Sequence, residues 1–219
     1  MFDANCLKLM FVAGSQDFCH IKGGKNDRIN ALLETLELAL QSQITAFQFR
    51  QKGDLALQDP TQIKQLAMKC QKLCQKYGVP FIVNDEARLA LELKADGVHV
   101  GQEDMAIEEV ITLCKKRLFI GLSVNTLEQA LKACHLDAVA YLGVGPIFPT
   151  PSKKDKQVVG VELLKKIKDS GVKKPLVAIG GITMRNASKL REYGGIAVIS
   201  AITQARDKAL AVGKLLNDA

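Results

Sequence analysis

The alternation of short β-rich runs with segments of helical periodicity is the feature of this sequence that most limits its possible folds. Eight such runs occur along the 219 residues. Strands that alternate with helices are typical of a parallel sheet, because each helix carries the chain back to the start of the next strand. The predicted strands are Leu9–Ala13, Ala46–Arg50, Pro80–Asn84, Gly97–Gly101, Phe119–Val124, Ala138–Gly143, Leu176–Gly180 and Ile196–Ser200.

The segments between these runs have the apolar spacing of amphipathic helices. Between residues 63 and 77, apolar side chains recur every three or four positions, which places them on one helix face. Residues 32–40 follow the same pattern. Asp59-Pro60 and Thr183 are residue types that commonly begin a helix. We therefore expect each predicted strand to be followed by a helix that packs on the sheet.

Eight β-α units without a linker or a break in composition predict a single domain over residues 1–219. Eight parallel strands with alternating helices can close into a (β/α)₈ barrel, the TIM-barrel fold of the α/β class. The competing architecture is a doubly wound open sheet, which usually carries a G-x-G-x-x-G turn after its first strand. Residues 12–16, Val-Ala-Gly-Ser-Gln, are not such a turn. The barrel is therefore the predicted fold.

Composition narrows the classes of function. The apolar runs are too short to span a bilayer, and the first residues lack the features of a signal peptide, so we expect a cytoplasmic protein without membrane contact. The net charge of +7 favours anionic ligands. Aromatic residues are 5% of the chain and tryptophan is absent, which favours small phosphorylated molecules over nucleic acid. The six cysteines contain no C-x-x-C pair and are expected to be reduced thiols.

Polar residues at the end of the second predicted strand are the first candidates for a site. In a (β/α)₈ barrel the chemistry is located at the carboxyl ends of the strands. Alternation places Gln48 and Arg50 on one face, with Lys52 just beyond them. Charge at such a position is costly to bury without a partner. The triplet therefore indicates either an anion and heterocycle site or an ion pair at the barrel rim.

Two acidic residues follow the next two strands. Asp85 comes directly after the third predicted strand, and Asp104 follows the fourth. Carboxylates from neighbouring strands can share Mg²⁺, which commonly takes one or two carboxylates together with water and substrate phosphate. The alternative is that either aspartate caps the following helix. His99, within the fourth strand, is interpreted as a packed core residue.

The remaining strand ends carry hydroxyls, lysines and glycines. Ser123 ends the fifth strand and can donate a hydrogen bond to a ligand, whereas Asn125 or Thr126 could cap the next helix. A long loop follows the sixth strand and carries two hydroxyls and two lysines, which suits a phosphate-binding lid or a solvated basic loop. Gly180-Gly181 and Ile199-Ser200 end the last two strands, where barrels usually bind phosphate.

Taken in order, these strand-end segments resemble the thiamine-phosphate synthase family. The matching segments are Gln48–Lys52, Asn84-Asp85, Ala95–Asp104, Gly121–Ser123, Gly143–Thr150, Lys153–Asp155 and Ala178–Ile182. The resemblance implies a Mg²⁺-dependent transferase that joins 4-amino-5-hydroxymethyl-2-methylpyrimidine diphosphate to a thiazole phosphate and releases pyrophosphate. Such a reaction needs positioning and charge stabilisation rather than a nucleophilic side chain.

The resemblance also implies a role for each matching residue. The pyrimidine diphosphate would be held by Gln48, Arg50, Lys52 and Asn84, with Ser123 and Lys153 completing that site. Mg²⁺ would be bound by Asp85 and Asp104. The thiazole phosphate would be held by Thr150, Pro151, Ser152, Gly181, Ile199 and Ser200. The implied catalytic residues are Arg50, Lys52, Ser123 and Lys153.

Two other functions are possible on the same barrel. A thiazole tautomerase of the same superfamily would place a proton-moving histidine where this chain has Asn125, and an amide cannot act as a general acid or base. A non-catalytic phosphate-binding regulator would have no need for Asp85, Asp104 and Lys153 together. The synthase is therefore the preferred prediction, and a homo-oligomer remains possible.

Overall fold

The eight predicted strands form a closed barrel. The structure is a computed structural model that describes residues 2–150 and 157–218. The strands are parallel and hydrogen bonded in sequence order, and the last pairs with the first. They are β1 Leu9–Ala13, β2 Ala46–Phe49, β3 Phe81–Asn84, β4 Gly97–Val100, β5 Phe119–Val124, β6 Val139–Val144, β7 Leu176–Ile179 and β8 Gly195–Val198. The predicted (β/α)₈ barrel is thereby confirmed.

Helices cover the outside of the barrel. In the described residues they are α1 Lys25–Gln41, α2 Pro60–Tyr77, α3 Ala87–Leu93, α4 Ile107–Cys114, α5 Leu127–Cys134, α6 Gly160–Asp169, α7 Ser200–Thr203 and α8 Lys208–Asp218. Helix α2 begins as predicted, because the Asp59 carboxylate accepts a hydrogen bond from the Gln62 N–H and Pro60 occupies the first helical position. None of the described helices is long and apolar enough to cross a membrane.

Two expected elements differ from the structure by more than a shift of one residue. The segment after Thr183 forms a turn and the 3₁₀ helix Ala187–Leu190 instead of an α-helix. The Asn186 side chain accepts from the Thr183 N–H and donates to the Gly181 carbonyl, so it competes with helical hydrogen bonding. Strand β8 ends at Val198, and Ser200 already begins α7.

The core has two layers, because both faces of each parallel strand are buried. Alternate residues of β1 show the division: Met10 points into the barrel interior, whereas Phe11 packs in the layer between the strands and the helices. The buried thiols Cys70 and Cys74 belong to that outer layer, and all six cysteines are free. Cys70, Cys74 and Cys114 are buried as expected of packed thiols, whereas Cys19 is exposed.

Aromatic side chains close the barrel at the amino ends of the strands. The Phe2 ring lies 5.1 Å from the Phe119 ring and 6.5 Å from the Tyr141 ring, measured between centroids. Leu7, from the 3₁₀ helix that precedes β1, packs in the same interior cluster. Open space inside the barrel is therefore located towards the carboxyl ends of the strands.

Candidate active site

A cavity opens at the carboxyl ends of the strands. All eight strands or the loops after them contribute to its wall. Eight of the predicted site residues line it: Gln48, Arg50, Asn84, Ser123, Thr150, Gly181, Ile199 and Ser200. The predicted residues Pro151, Ser152 and Lys153 lie outside the described residues.

Strand β2 delivers a buried amide and a cation to this cavity. Gln48 is 4% exposed, and its Nε2 lies 3.3 Å from the sulfur of Met10 on the neighbouring strand. Arg50 follows two positions later on the same face. Its backbone N–H donates to the Ala13 carbonyl and its carbonyl accepts from Gln16. The backbone that carries the Arg50 side chain is therefore fixed on both sides.

Asp85 and Asp104 lie together at the rim of the cavity, as the sequence predicts. The Lys52 ammonium is 2.8 Å from Asp85 Oδ2 and 3.1 Å from Asp104 Oδ1. We refer to Asp85 and Asp104 as the carboxylate pair. The lysine nitrogen occupies the position of a cation shared by both carboxylates. Lys52 is thus a rim residue next to the acidic pair and not part of the cavity wall.

The backbone directs both carboxylates to this point. Asp85 has a positive φ of 65°, and its N–H donates to the His99 carbonyl of β4. Asp104 folds back so that its second oxygen accepts from the Gly101 N–H at 2.8 Å. The residues that precede α3 and α4 are Glu86 and Ala106. The helix-capping alternative is therefore wrong for both aspartates.

The two members of the carboxylate pair behave as anions that compete for one proton or one cation. Burial raises the pKa of Asp85, and the hydrogen bond with Asp104 raises it further. Burial also acts to raise the pKa of Asp104, but hydrogen bonds from Asp85, Lys52 and the Gly101 N–H outweigh it, so that this pKa is lowered. Asp104 therefore stays ionised, and the pair attracts cations.

Three side chains on β4, β5 and β6 form a buried polar group inside the cavity. His99 Nδ1 lies 2.9 Å from the Tyr141 hydroxyl, and His99 Nε2 lies 2.9 Å from the Ser123 hydroxyl. His99 is 9% exposed and Tyr141 is 1% exposed. The interpretation of His99 as a packed, hydrogen-bonded residue is correct about its burial but misses that it lines the cavity.

Glycines on the neighbouring strands make room for these rings. A Cβ on Gly121 would lie 2.2 Å from the Tyr141 ring and 2.5 Å from His99 Nδ1. A Cβ on Gly143 would lie 2.8 Å from His99 Cε1. Larger side chains at these two positions would exclude the rings from the barrel interior. The combination of strand glycines with a strand histidine is the signal by which the sequence could have indicated this group.

On the opposite side of the cavity, the backbone of the loop after β6 lies against the glycine pair Gly180-Gly181. Gly180 and Gly181 have φ values of 99° and 64°, in the region that favours glycine. A Cβ on Gly181 would lie 2.5 Å from the Pro149 carbonyl oxygen. The Phe148 N–H donates to the Gly180 carbonyl. The loop after β6 is thereby held close to the loop after β7.

Asn125 and Thr126 have separate structural roles. Thr126 caps α5 by accepting a hydrogen bond from the Gln129 N–H. The Asn125 amide donates to the Gly145 carbonyl in the loop after β6. Neither side chain offers a titrating group to the cavity, which is the feature that a tautomerase would need.

A closed parallel barrel with a polar cavity at the carboxyl ends of its strands, charged groups at the rim and a glycine pair defines the class of the protein: a (β/α)₈-barrel enzyme. Residues 18–202 match the family model described as thiamine monophosphate synthase. The chain belongs to that family, and its activity is thiamine-phosphate synthesis, a transferase reaction, as the sequence predicts.

Individual relatives agree with this assignment over the whole chain. A thiamine-phosphate synthase of Helicobacter pylori (strain ATCC 700392 / 26695) is 93% identical over 219 residues, which is 100% of both chains. A thiamine-phosphate synthase of Pasteurella multocida (strain Pm70) is 52% identical over 97% of this chain and 96% of its own. Among solved structures, a thiamine phosphate pyrophosphorylase from Pyrococcus furiosus superposes with a TM-score of 0.82 at 36% identity, covering 98% of this chain and 96% of that one.

Proposed function

We propose that the cavity joins a pyrimidine diphosphate to a thiazole phosphate, with Mg²⁺ bound at the carboxylate pair. The bond between the pyrimidine methylene carbon and the diphosphate oxygen breaks, and the electron pair leaves with the diphosphate. The thiazole nitrogen then forms a bond to that carbon. The observation that carries this proposal is the lysine ammonium shared by Asp85 and Asp104 at the cavity rim, because it marks a place where two carboxylates converge on one cation.

The donor set at the rim fits Mg²⁺. Both donors are hard carboxylate oxygens, which this ion prefers. In the part of the chain that the structure describes, no group of three or more His, Cys, Asp or Glu side chains is arranged to hold a metal. A pair of carboxylates without further protein ligands leaves coordination positions for water and substrate phosphate. When bound, the ion would neutralise charge on the diphosphate as it leaves.

The residues of the chain itself would supply binding and orientation. Arg50 and Lys52 carry positive charge next to the proposed diphosphate position, where it would stabilise the departing anion. Gln48 and Asn84 present amides at neighbouring strand ends and would bind the pyrimidine edge. The Ser123 hydroxyl would donate a hydrogen bond within the same half of the cavity.

The thiazole phosphate would bind across the cavity. Gly181, Ile199 and Ser200 line that wall at the ends of β7 and β8, with Thr150 from the facing loop. Backbone N–H groups at such strand ends are suited to a phosphate dianion. The sequence-based roles of Pro151, Ser152 and Lys153 stay predictions, as do a cytoplasmic location and a homo-oligomeric state.

The test is to incubate the purified chain with both substrates in the presence of Mg²⁺ or a chelator, and to measure thiamine phosphate and pyrophosphate. We expect equimolar products that depend on the metal. Asp104→Asn keeps an oxygen that can accept from the Gly101 N–H but removes the charge, and should lower turnover on the order of 100-fold or more. The matched control is Asp137→Asn at an exposed position, which should leave turnover unchanged.

Metal binding should be measured separately from activity. Titration with Mn²⁺, followed by electron paramagnetic resonance, reports binding at the carboxylate pair without substrate. Asp104→Asn should weaken Mn²⁺ binding and Asp137→Asn should not. Equal Mn²⁺ affinity in both variants, or full turnover of Asp104→Asn with chelator present, would overturn the proposed metal site.

A further inference from the structure

The buried polar group around His99 extends further across the barrel than its three members. The Tyr141 hydroxyl lies 2.9 Å from His99 Nδ1 on one side, and the Gln48 amide faces it on the other. Gln48 is on β2 and Ser123 is on β5, so a continuous chain of side chains runs Gln48, Tyr141, His99, Ser123 across the interior. Each of the last three groups can donate or accept, so the direction of every hydrogen bond depends on its neighbours.

The buried Tyr141 hydroxyl fixes the direction of this chain. The Gln48 amide nitrogen lies 3.3 Å from the Met10 sulfur, which can only accept a hydrogen bond. The amide N–H₂ therefore points into the barrel interior, where its other hydrogen is available to the Tyr141 oxygen. Burial raises the pKa of Tyr141 far above its usual value, so the phenol keeps its proton. The Gln48 amide nitrogen cannot accept that proton, and His99 Nδ1, 2.9 Å from the Tyr141 oxygen, is the acceptor that the described residues place within hydrogen-bond distance.

We propose that His99 is a positioning residue that carries its proton on Nε2 and donates it to the Ser123 oxygen. With Nδ1 accepting from Tyr141, the neutral ring has only Nε2–H to offer to Ser123. The Ser123 oxygen then accepts from His99, so the hydrogen of its hydroxyl is directed into the cavity. The Ser123 hydroxyl thus faces the substrate as a donor. The opposite direction would leave Ser123 only able to accept from the substrate.

This inference rests on the proposed function only where it concerns rate. A hydroxyl that is preset as a donor stabilises an anion or lone pair without reorganising during the reaction. His99 itself need not touch the substrate for this effect. The proposal therefore has two separable parts: the protonation of His99 in the protein alone, and the dependence of turnover on His99 through Ser123.

The first test reads the tautomer of His99 directly. The chain contains three histidines, and its imidazole nitrogens can be labelled with ¹⁵N and observed by long-range ¹⁵N–¹H correlation without substrate. The His99 signals are assigned by their loss in His99→Gln. We expect protonated Nε2 and unprotonated Nδ1. A ring protonated on Nδ1, or on both nitrogens, overturns the proposal, whatever the enzyme does with substrates.

The second test compares two amide substitutions, each of which places its nitrogen near the position of a different imidazole nitrogen. Gln places its amide nitrogen near the position of Nε2, whereas Asn is too short and reaches only the position of Nδ1. His99→Asn should lower kcat/KM about tenfold or more, and His99→Gln should retain more activity than His99→Asn. The matched control is His135→Gln at the exposed end of α5. Greater activity of the Asn variant would contradict donation through Nε2.

A double-mutant cycle separates positioning from a structural role. In the Ser123→Ala background, His99→Asn should change kcat/KM by less than about twofold, because its effect is transmitted through the missing hydroxyl. The same fold-loss in both backgrounds would overturn the proposal. If the unmodified chain forms no thiamine phosphate, the proposed function fails, while the tautomer measurement still decides the protonation of His99.

Discussion

Substitution of Gly121 by alanine tests the packing that holds His99 and Tyr141 inside the barrel. The new Cβ would lie 2.2 Å from the Tyr141 ring and 2.5 Å from His99 Nδ1, so the rings must move apart. Overpacking of a filled core costs about 1–3 kcal/mol, and loss of the hydrogen bond between the rings costs about 1 kcal/mol more. We therefore expect Gly121→Ala to lower the free energy of unfolding by about 2–4 kcal/mol.

The same substitution at Gly213 is the matched control, and the sign of its effect should be opposite. Gly213 lies within α8, and no atom would approach its new Cβ within 4 Å. Alanine there should raise the free energy of unfolding by about 0.5–1 kcal/mol, because it restricts the unfolded chain. Urea unfolding followed by circular dichroism measures both changes. A Gly121→Ala protein within about 0.5 kcal/mol of the parent would refute the packing argument.

Three further predictions concern Lys52 at the cavity rim, the cap of α2 and the cysteine thiols. Lys52→Met should tighten Mn²⁺ binding at the carboxylate pair about thirtyfold, because repulsion between a unit charge and a divalent ion about 4 Å apart in water is worth about 2 kcal/mol. Turnover should fall, and unchanged Mn²⁺ affinity would contradict competition by the ammonium. Asp59→Ala should destabilise the fold by about 1 kcal/mol in urea unfolding through loss of the α2 cap; no change would argue against that cap. Iodoacetamide should modify exposed Cys19 first and leave buried Cys70 and Cys74 intact until the protein unfolds. Mass spectrometry of peptides shows the order of labelling. Early labelling of Cys70 would contradict its burial.

Much of the fold was predictable, because the signals for strands and helices in this chain are local. Strands β1 and β5 have the predicted bounds, and most of the other strand ends shift by one residue. The end of β8 is the exception, because helical hydrogen bonds to the Ile199 carbonyl already begin there. Closure of the sheet could be predicted from the number of β-α units, since eight suffice for a barrel.

The positions of the candidate site residues were also largely predictable. Each lies at the end of a strand, and parallel strands bring their carboxyl ends to one side. This rule alone places Gln48 and Arg50 in one cavity and joins Asp85 to Asp104 at its rim. Family resemblance adds the assignment of a role to each position, which strand geometry does not give.

The contacts inside the barrel were decided by tertiary structure alone. His99 meets Tyr141, 42 positions further along the chain, and Ser123, 24 positions further. Such contacts depend on the register of three strands and on the space left by Gly121 and Gly143. Periodicity in the sequence reports which face a residue occupies, because it reflects local backbone geometry. It does not report which residue of a neighbouring strand lies beside it, because that depends on how the closed sheet is packed.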